Sequence, residues 1–205
     1  MVRRLDPAVE ERLAAALETA TSYFMGNADV QGAALALASR LDEAGIPYAI
    51  AGALALAAHG YLRVTDDADV LLTREGLAEL ERRFVAAGYE RSGSKGLRDA
   101  QRNVKIDVLT AGDFPGDGKP KPVAFPDPAQ VAERGERFAV LPLERLIELK
   151  LASGISAPHR LRDLADVLEL VRAGGLPRAL GERLDASVRP KFDELWLAAQ
   201  GADPT

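Results

Sequence analysis

YAIAGALALAAHGYLRVTDDADVLL, residues 48–72, is the stretch that decides the fold, because it sets two strand patterns around a run of small apolar residues. The pattern predicts a strand at 48–51, a tight turn at Gly52, a small helix that ends near His59, and a second strand at 67–72. Strands and helices that alternate over so short a span indicate an α/β chain.

Two carboxylates lie two positions apart in the second predicted strand. Successive side chains of a strand point to opposite faces, so Asp67 and Asp69 leave the sheet on the same side. Two such charges repel unless water, cations or a metal ion compensates them, and oxygen ligands are those that magnesium prefers. The alternative is a surface strand with a solvated acidic edge.

The turn before the small helix suits an anion. A helix that begins after Gly52 presents unpaired N–H groups and the positive end of its dipole, which favour a phosphate. A glycine also lets the backbone approach a ligand closely. An ordinary strand-to-helix turn is the other interpretation, and the spacing by itself does not choose between the two.

Composition limits the kinds of site that the chain can build. The 205 residues are 47% hydrophobic, enough for one sizeable core, and they include no cysteine and two histidines. Disulfides and thiolate metal sites are excluded, so any metal must be held by carboxylates. No apolar run approaches the ~20 residues of a membrane span, and the first residues lack the apolar core of a signal peptide. We expect a cytoplasmic protein without a membrane partner, and the formal charge of −5 argues against a passive nucleic-acid coat.

The rest of the chain is predicted to form four parts. We expect N-terminal packing helices at 1–44, the first starting at Asp6, and a core at 45–111. A loop rich in proline and glycine follows at 112–128, and a helical C-terminal part at 129–205. A loop of that length without secondary structure is typical of a functional or mobile segment.

The motif G-Y-L-R-V-T-D-D-A-D-V-L-L at 60–72 follows a glycine and a small residue, with 13 residues between them and the Asp-x-Asp pair. This order resembles the nucleotidyltransferase superfamily of the DNA polymerase β type, and within it the small bacterial branch that includes the AbiEii-type toxins. The resemblance covers roughly residues 45–172. It implies an α/β (α+β) fold, with a mixed sheet flanked by helices. Where the family usually has Gly-Ser or Gly-Gly, this chain has Gly52-Ala53, so only backbone contacts to a phosphate remain.

The resemblance implies roles for individual residues. Asp67 and Asp69 would hold Mg²⁺ or Mn²⁺, and Asp107, on a strand predicted at 104–109, would complete the metal site and help to deprotonate the acceptor. The residues that it implies for nucleotide binding are Gly52, Ala53, Arg63, Thr65, Lys150, Asp163 and Asp166. Without the resemblance, a single aspartate on a half-exposed strand such as Asp107 is unremarkable.

Three of these residues also have a plain structural interpretation. Lys150 lies in the apolar stripe of a helix predicted to start at Pro142, where its stem could cover apolar surface while its ammonium reaches water. Asp163 and Asp166 follow on the next predicted helix, and Asp166 could pair with Arg162 one turn earlier. The resemblance instead directs Lys150 toward a phosphate.

The resemblance implies an enzyme that moves a nucleoside monophosphate from an NTP such as ATP to RNA, a protein or a small molecule. It extends to a toxin role beside an antitoxin protein. Basic residues between Arg91 and Lys105 would suit a polyanion such as the end of a tRNA, or they form a solvated hairpin face. Two alternatives stay open: an inactive binding protein of the same fold, which Ala53 favours, and a metal-dependent phosphohydrolase that directs the same acids at water.

Overall fold

A mixed β-sheet with helices packed against it makes up the chain in a computed structural model, which describes residues 3–4, 6–7, 10–11, 29–93 and 96–201. The strands are β1 (Arg3–Arg4), β2 (Tyr48–Ile50), β3 (Asp67–Leu72), β4 (Tyr89–Ser92), β5 (Gly96–Asp99), β6 (Val104–Thr110), β7 (Glu133–Arg134) and β8 (Ala139–Val140). The helices are α1 (Val30–Ala44), α2 (Gly52–Ala58), α3 (Arg74–Phe84), α4 (Pro128–Val131), α5 (Leu143–Ser156), α6 (Leu161–Gly174) and α7 (Arg189–Gln200). Within these ranges no helix has the length and apolar character that crossing a bilayer requires.

The sheet has the strand order β1-β7-β8-β2-β3-β6-β5-β4. The strand that carries the two aspartates, β3, is interior: it pairs antiparallel with β2 and parallel with β6. The mixed sheet flanked by helices that the sequence predicted is therefore confirmed. Strand β3 also has the predicted bounds. Its apolar end is buried, as is typical of a strand that pairs on both sides.

Alternation along β3 and β6 decides which side chains reach the core. On the core side the side chains are apolar and buried, while Asp67, Asp69 and Asp107 on the other side are only half-buried. The core-facing set is Ala68, Val70, Val104, Ile106 and Val108. The predicted common side of Asp67 and Asp69 is thus confirmed, and Asp107 lies on that side as well.

The helix boundaries follow local capping chemistry. Helix α1 starts where the Asp29 carboxylate accepts a hydrogen bond from Gly32 N at 2.7 Å, and it ends at Gly45, whose φ of 67° is left-handed. Helix α3 starts where Thr73 Oγ1 accepts from Gly76 N at 3.0 Å. The helix predicted to start at Asp6 lies mostly outside the described residues.

Residues 129–205 contribute strands as well as the predicted helices. Strand β8 pairs parallel with β2, with Val140 beside Ile50, and β7 pairs antiparallel with β8. Strands of two residues leave no periodic pattern in a sequence, so these escaped prediction. The sheet therefore draws on both sides of the proline-rich loop, and Leu141, directly after β8, reaches the wall of the cleft described below.

Candidate active site

A cleft of about 460 Å³ opens between the sheet and the helices α5 and α6. Both signs of charge line it. The acids contributed by β3, β6 and the residue before β3 are Asp66, Asp67, Asp69 and Asp107. The cations are Arg63, Lys150, Arg160 and Arg162. A cleft lined by carboxylates and by cations can hold a metal ion together with a phosphate compound.

The three predicted acids lie together at one end of this cleft. Strands β3 and β6 are parallel neighbours, and their register places Asp69 beside Asp107 and Asp67 beside Lys105. We call Asp67, Asp69 and Asp107 the acidic edge. Sequence spacing joined Asp67 to Asp69, but only the pairing of β3 with β6 brings Asp107 to the same place.

Gly52 packs directly against the acidic edge. Its φ is +55°, and a Cβ built on it would lie 1.8 Å from Asp69 Oδ2, which no side chain could tolerate. The backbone is tied there as well, because Ala51 N donates to the Asp69 carbonyl at 2.9 Å. The glycine is thus required for close approach to a carboxylate. Helix α2 has seven residues, too few for a large dipole.

Asp69 carries unbalanced negative charge. Burial raises the pKa of its carboxyl, the Asp67 carboxylate raises it further, and Asp107 adds to the effect, while Lys150 and Arg63 act in the opposite direction. The net result raises the pKa of Asp69 to about 6. No described residue donates a hydrogen bond to this carboxylate, so a bound cation would relieve the charge.

The other two carboxylates of the acidic edge have partners. Thr65 Oγ1 donates to Asp67 Oδ1 at 2.6 Å, which fixes the orientation of that carboxylate. Lys105 Nζ lies 2.7 Å from Asp107 Oδ1 and 2.8 Å from Oδ2, so a lysine ammonium sits on the predicted third acid. The hydrogen bond to Asp107 raises the pKa of Lys105 above its usual range.

The donor set fits a hard divalent cation in chemistry. Its ligands are carboxylate oxygens, and Gly52 leaves space beside Asp69 that a side chain would fill. Among the described residues, however, no group of three or more His, Cys, Asp or Glu side chains is arranged to hold a metal ion. Asp107 lines the cleft with Asp67 and Asp69, and its carboxylate is paired with Lys105.

Lys150 belongs to a second group of charges, buried between α5 and α6. Its ammonium donates to Asp163 Oδ1 at 3.0 Å and to Asp166 Oδ2 at 2.7 Å, and its side chain is only 8% exposed. Ser153 Oγ donates to Asp163 Oδ2 at 2.6 Å. The ammonium is therefore held by two carboxylates between the helices, and the predicted role of Lys150 toward a phosphate stays a prediction.

Two arginines complete this group. Arg160 Nε donates to Asp163 Oδ2 at 3.0 Å, and Arg63 Nε lies 3.0 Å from Asp166 Oδ1. The contact from Arg63 is an ion pair without hydrogen-bond geometry, since that nitrogen is buried and has no hydrogen-bond partner. We call Lys150, Asp163, Asp166, Ser153, Arg63 and Arg160 the helix ion cluster. Asp166 pairs with Lys150 and Arg63, so the predicted pairing with Arg162 is wrong.

The carboxylates of the helix ion cluster are well compensated. Burial raises the pKa of Asp163, but Lys150, the Ser153 hydroxyl and Arg160 together outweigh burial, so the net pKa lies below the usual range. Asp163 therefore stays ionised through its partners. Asp166 is 2% exposed and does not line the cleft, so it touches the site only through Lys150 and Arg63.

Two small residues of the predicted site differ in placement. Gly52 lines the cleft, whereas Ala53 is buried and does not. His59 ends α2, as predicted, but its Nε2 lies 2.8 Å from the Leu141 carbonyl, which ties α2 to the residue after β8. The predicted roles of Gly52 and Ala53 in phosphate binding stay predictions.

The proline-rich loop forms one side of the cleft, through Pro115, Gly116 and Phe125. It is anchored to α5: Lys121 Nζ donates to Ser156 Oγ at 2.9 Å. A Cβ on Gly116 would lie 2.3 Å from the same hydroxyl. The loop is thus held close against the end of α5.

Arg160 and Arg162 line the cleft although the sequence did not predict them as site residues. A signal was present, because His-Arg-Leu-Arg at 159–162 places positive charge at the start of a predicted helix. Such charge opposes the helix dipole, so basic residues are favoured at the other end. An unfavourable position for two arginines is a reason to look for a ligand.

Comparisons with known proteins give likenesses of fold. No protein-family model and no curated protein matches the sequence. Among solved structures, the chain is similar to ANT(2″)-Ia in complex with adenylyl-2″-tobramycin, with a TM-score of 0.48 and 16% identity over 80% of this chain and 92% of that one. A solution structure of the antibiotic-resistance factor ANT(2″)-Ia gives a TM-score of 0.46 and 18% identity, over 84% and 92%.

An antigenic nucleotidyltransferase-like protein from Paracoccidioides brasiliensis gives a TM-score of 0.43 and 16% identity, over 71% of this chain and 77% of that one. With TM-scores below 0.5, these likenesses do not assign an activity. The chemistry of the cleft follows from its own side chains.

Proposed function

We propose that the chain is a metal-dependent nucleotidyltransferase, which moves a nucleoside monophosphate from an NTP to an acceptor. The observation that carries the proposal is the acidic edge, where Asp69 has unbalanced charge and packs against Gly52. Carboxylates that repel one another at the end of an open cleft are unfavourable in isolation, and a divalent cation with a bound triphosphate resolves the repulsion.

Each residue of the acidic edge has a role in this proposal. Asp67 and Asp69 would hold Mg²⁺ or Mn²⁺, with Asp107 as a further ligand once Lys105 has left it. When bound, the metal supplies charge stabilisation to the phosphates and the leaving group. Thr65 keeps the Asp67 carboxylate in one orientation. Lys150 and Arg63 add positive potential near Asp69.

The transfer step is a single displacement at phosphorus. The acceptor oxygen forms a bond to the α-phosphorus, the bond from that phosphorus to the bridging oxygen of the β-phosphate breaks, and pyrophosphate leaves with the electron pair. The acceptor's proton passes to the Asp107 carboxylate, which is 35% exposed and can release it to water. Such a reaction needs mainly positioning and charge stabilisation, which this cleft offers.

The test is transfer of label from α-labelled NTPs, with Mg²⁺ or Mn²⁺ and cell extract as the source of acceptors. The wild-type chain should label an acceptor and Asp67→Asn should not. Asp193→Asn is the matched control, because Asp193 pairs with Arg178 on the surface and does not line the cleft. Release of phosphate with no labelled acceptor would support the phosphohydrolase instead, and equal activity of wild type and Asp67→Asn would contradict both.

The acceptor that fits best is one that enters the cleft. The predicted polyanion surface on β4, β5 and β6 is largely neutralised: Arg91 pairs with Glu81 at 2.9 Å and Arg102 with Asp99 at 3.1 Å. Arg98 bonds to Asn103 and retains its charge. We therefore infer a compact acceptor or the end of a larger one, and expect transfer to depend weakly on salt. A steep loss of transfer with added salt would favour a tRNA acceptor.

An inactive binding protein of the same fold is the second candidate. Two observations favour it: Ala53 is buried where the family has a glycine or a serine, and Lys105 holds Asp107. This candidate predicts that neither Mg²⁺ nor Mn²⁺ changes NTP binding. Metal-dependent NTP binding by the wild-type chain, lost in Asp69→Asn, would exclude it.

A toxin role beside an antitoxin rests on the proposed activity and on the AbiEii-type resemblance. Induced expression should then arrest growth, and Asp69→Asn should abolish the arrest at equal protein level. Normal growth with active, well-expressed protein would contradict the toxin role and leave the transferase in place.

A further inference from the structure

Two arginines meet the cleft at the start of α6. Arg160 ends the 3₁₀ turn before the helix, Arg162 lies in its first turn, and both line the cleft. Positive charge in the first turn opposes the helix dipole. Of the two, Arg160 is balanced in part by Asp163, the one acid in the first turn of α6.

The inner cations of the helix ion cluster have no charge to spare. Lys150 and Arg63 face two carboxylates, Asp163 and Asp166, at distances of 2.7 to 3.0 Å. The Lys150 ammonium uses two of its three donors on these carboxylates and is 8% exposed. Positive charge for a bound anion must therefore come from further along the cleft.

The two arginines at the start of α6 offer that charge. Arg160 uses Nε on Asp163 and on Ser153, while its terminal nitrogens donate to no described residue, and its side chain is 52% exposed. Arg162 is exposed and makes no hydrogen bond or ion pair with a described residue. Guanidinium groups in this state present paired N–H donors that match phosphate oxygens.

We propose that Arg160 and Arg162, which line the same cleft as the acidic edge, bind the β- and γ-phosphates of the NTP. The inference rests on the proposed function, which places the α-phosphate at Asp67 and Asp69. Lys150 then acts as a positioning residue that holds Asp163 in place, and through Asp163 it orients Arg160. Pyrophosphate, the product, leaves from the two arginines.

The test measures binding of inorganic pyrophosphate by calorimetry, in EDTA so that no metal bridges the ligand to the acidic edge. Arg162→Gln should weaken binding about tenfold, the loss of roughly one charge-assisted pair of hydrogen bonds. Arg160→Gln with Arg162→Gln should abolish it. Arg172→Gln is the matched control, because Arg172 lies on the same helix, pairs with Glu169, and does not line the cleft. It should bind pyrophosphate like the wild type.

Wild-type affinity in Arg162→Gln, or equal losses in Arg162→Gln and Arg172→Gln, would overturn the inference. Arg162→Lys keeps the positive charge but not the paired N–H donors of a guanidinium group. Its affinity for pyrophosphate should lie between those of the wild type and Arg162→Gln. This variant also serves if the double variant does not fold, because Arg162 has no described partner to lose.

Two further arms identify the source of the phosphate. Pyrophosphate should compete with ATP, because both would occupy Arg160 and Arg162, whereas independent binding would assign these arginines to an acceptor phosphate and overturn the assignment to the NTP. Failure of the proposed function is distinguishable: an inactive wild type that binds pyrophosphate through Arg162 would retain the anion site and lose the transferase. If the wild type is active and Arg162→Gln binds pyrophosphate as the wild type does, the transferase is retained and the anion site is lost.

Discussion

The acidic edge and the helix ion cluster are both built from aspartates, yet their charges are in opposite states. In the acidic edge, burial and the neighbouring carboxylates raise the pKa of Asp69 to about 6. In the helix ion cluster, burial also raises the pKa of Asp163, but Lys150, Ser153 and Arg160 outweigh it and lower the net value. The difference lies in the partners supplied by the chain itself.

This contrast separates carboxylates that hold the fold from carboxylates that await a ligand. The buried aspartates of the helix ion cluster join α5 to α6, and removing a partner would leave a charge unpaired. In the acidic edge, by contrast, the Asp69 carboxylate weakens the fold in the absence of a cation, which is characteristic of a charge that serves function. Removing one charge from the acidic edge should therefore change activity, whereas removing one from the helix ion cluster should change stability.

The largest expected effect is on activity at the acidic edge. Asp69→Asn should lower the rate of nucleotidyl transfer by at least about a hundredfold, since it removes a charge aimed at the transition-state complex. Its free energy of unfolding without metal should stay equal or rise, because a repulsive charge is gone. Transfer assays and urea titrations on one preparation measure both quantities. A variant that is active, or that is markedly destabilised, would contradict the assignment of Asp69.

The next effect is on stability in the helix ion cluster. Asp166→Asn should lower the free energy of unfolding by about 3–5 kcal/mol, because Lys150 and Arg63 lose a buried counter-charge. Asp193→Asn is the control: Asp193 pairs with Arg178 on the surface, where an ion pair contributes about 0–1 kcal/mol. Equal losses in the two variants, measured by urea denaturation, would show that Asp166 is no more important than a surface charge.

The two regions should also differ in the pH dependence of stability. The folded pKa of Asp69, about 6, lies above the ordinary aspartate value of 3.8, so the stability that its protonated carboxyl contributes is present below about pH 4 and is lost as the pH rises through 6. In EDTA, Asp69→Asn should therefore gain roughly 2 kcal/mol on wild type between pH 4 and 7. The lowered pKa of Asp163 has the opposite effect on stability. The ionised Asp163 carboxylate stabilises the fold, and this stabilisation is lost on acidification. Parallel curves for wild type and Asp69→Asn would contradict the raised pKa.

The smallest expected effect concerns the lysine on Asp107. Lys105→Gln should increase the affinity for Mn²⁺ a few-fold, because an exposed ion pair contributes about 0–1 kcal/mol and no longer competes with the metal. Arg91→Gln removes the same charge from β4, which β5 separates from β6, and should leave metal affinity unchanged, because Arg91 pairs with Glu81. Calorimetric titration with Mn²⁺ decides, and equal affinities in all three proteins would show that Lys105 does not compete.

Local patterns were sufficient for the strand and turn that define the acidic edge. The bounds of β3 and the common face of Asp67 and Asp69 were predictable, because each depends on residues within a few positions of one another. The need for glycine at Gly52 was predictable as close approach, although the group approached is Asp69 rather than a ligand in this structure.

Tertiary structure decided which charges meet. Asp107 lies beside Asp69 only because β6 pairs parallel with β3, and Lys150 is buried because α5 and α6 bring two aspartates around it. Arg162 lines the cleft and does not pair with Asp166, because Lys150 of α5 already pairs with that carboxylate. The sequence determines which side chains share a face, since strand and helix periods are local. Whether a charge has a partner depends on contacts between distant segments, and that decides whether it stabilises the fold or is available to a ligand.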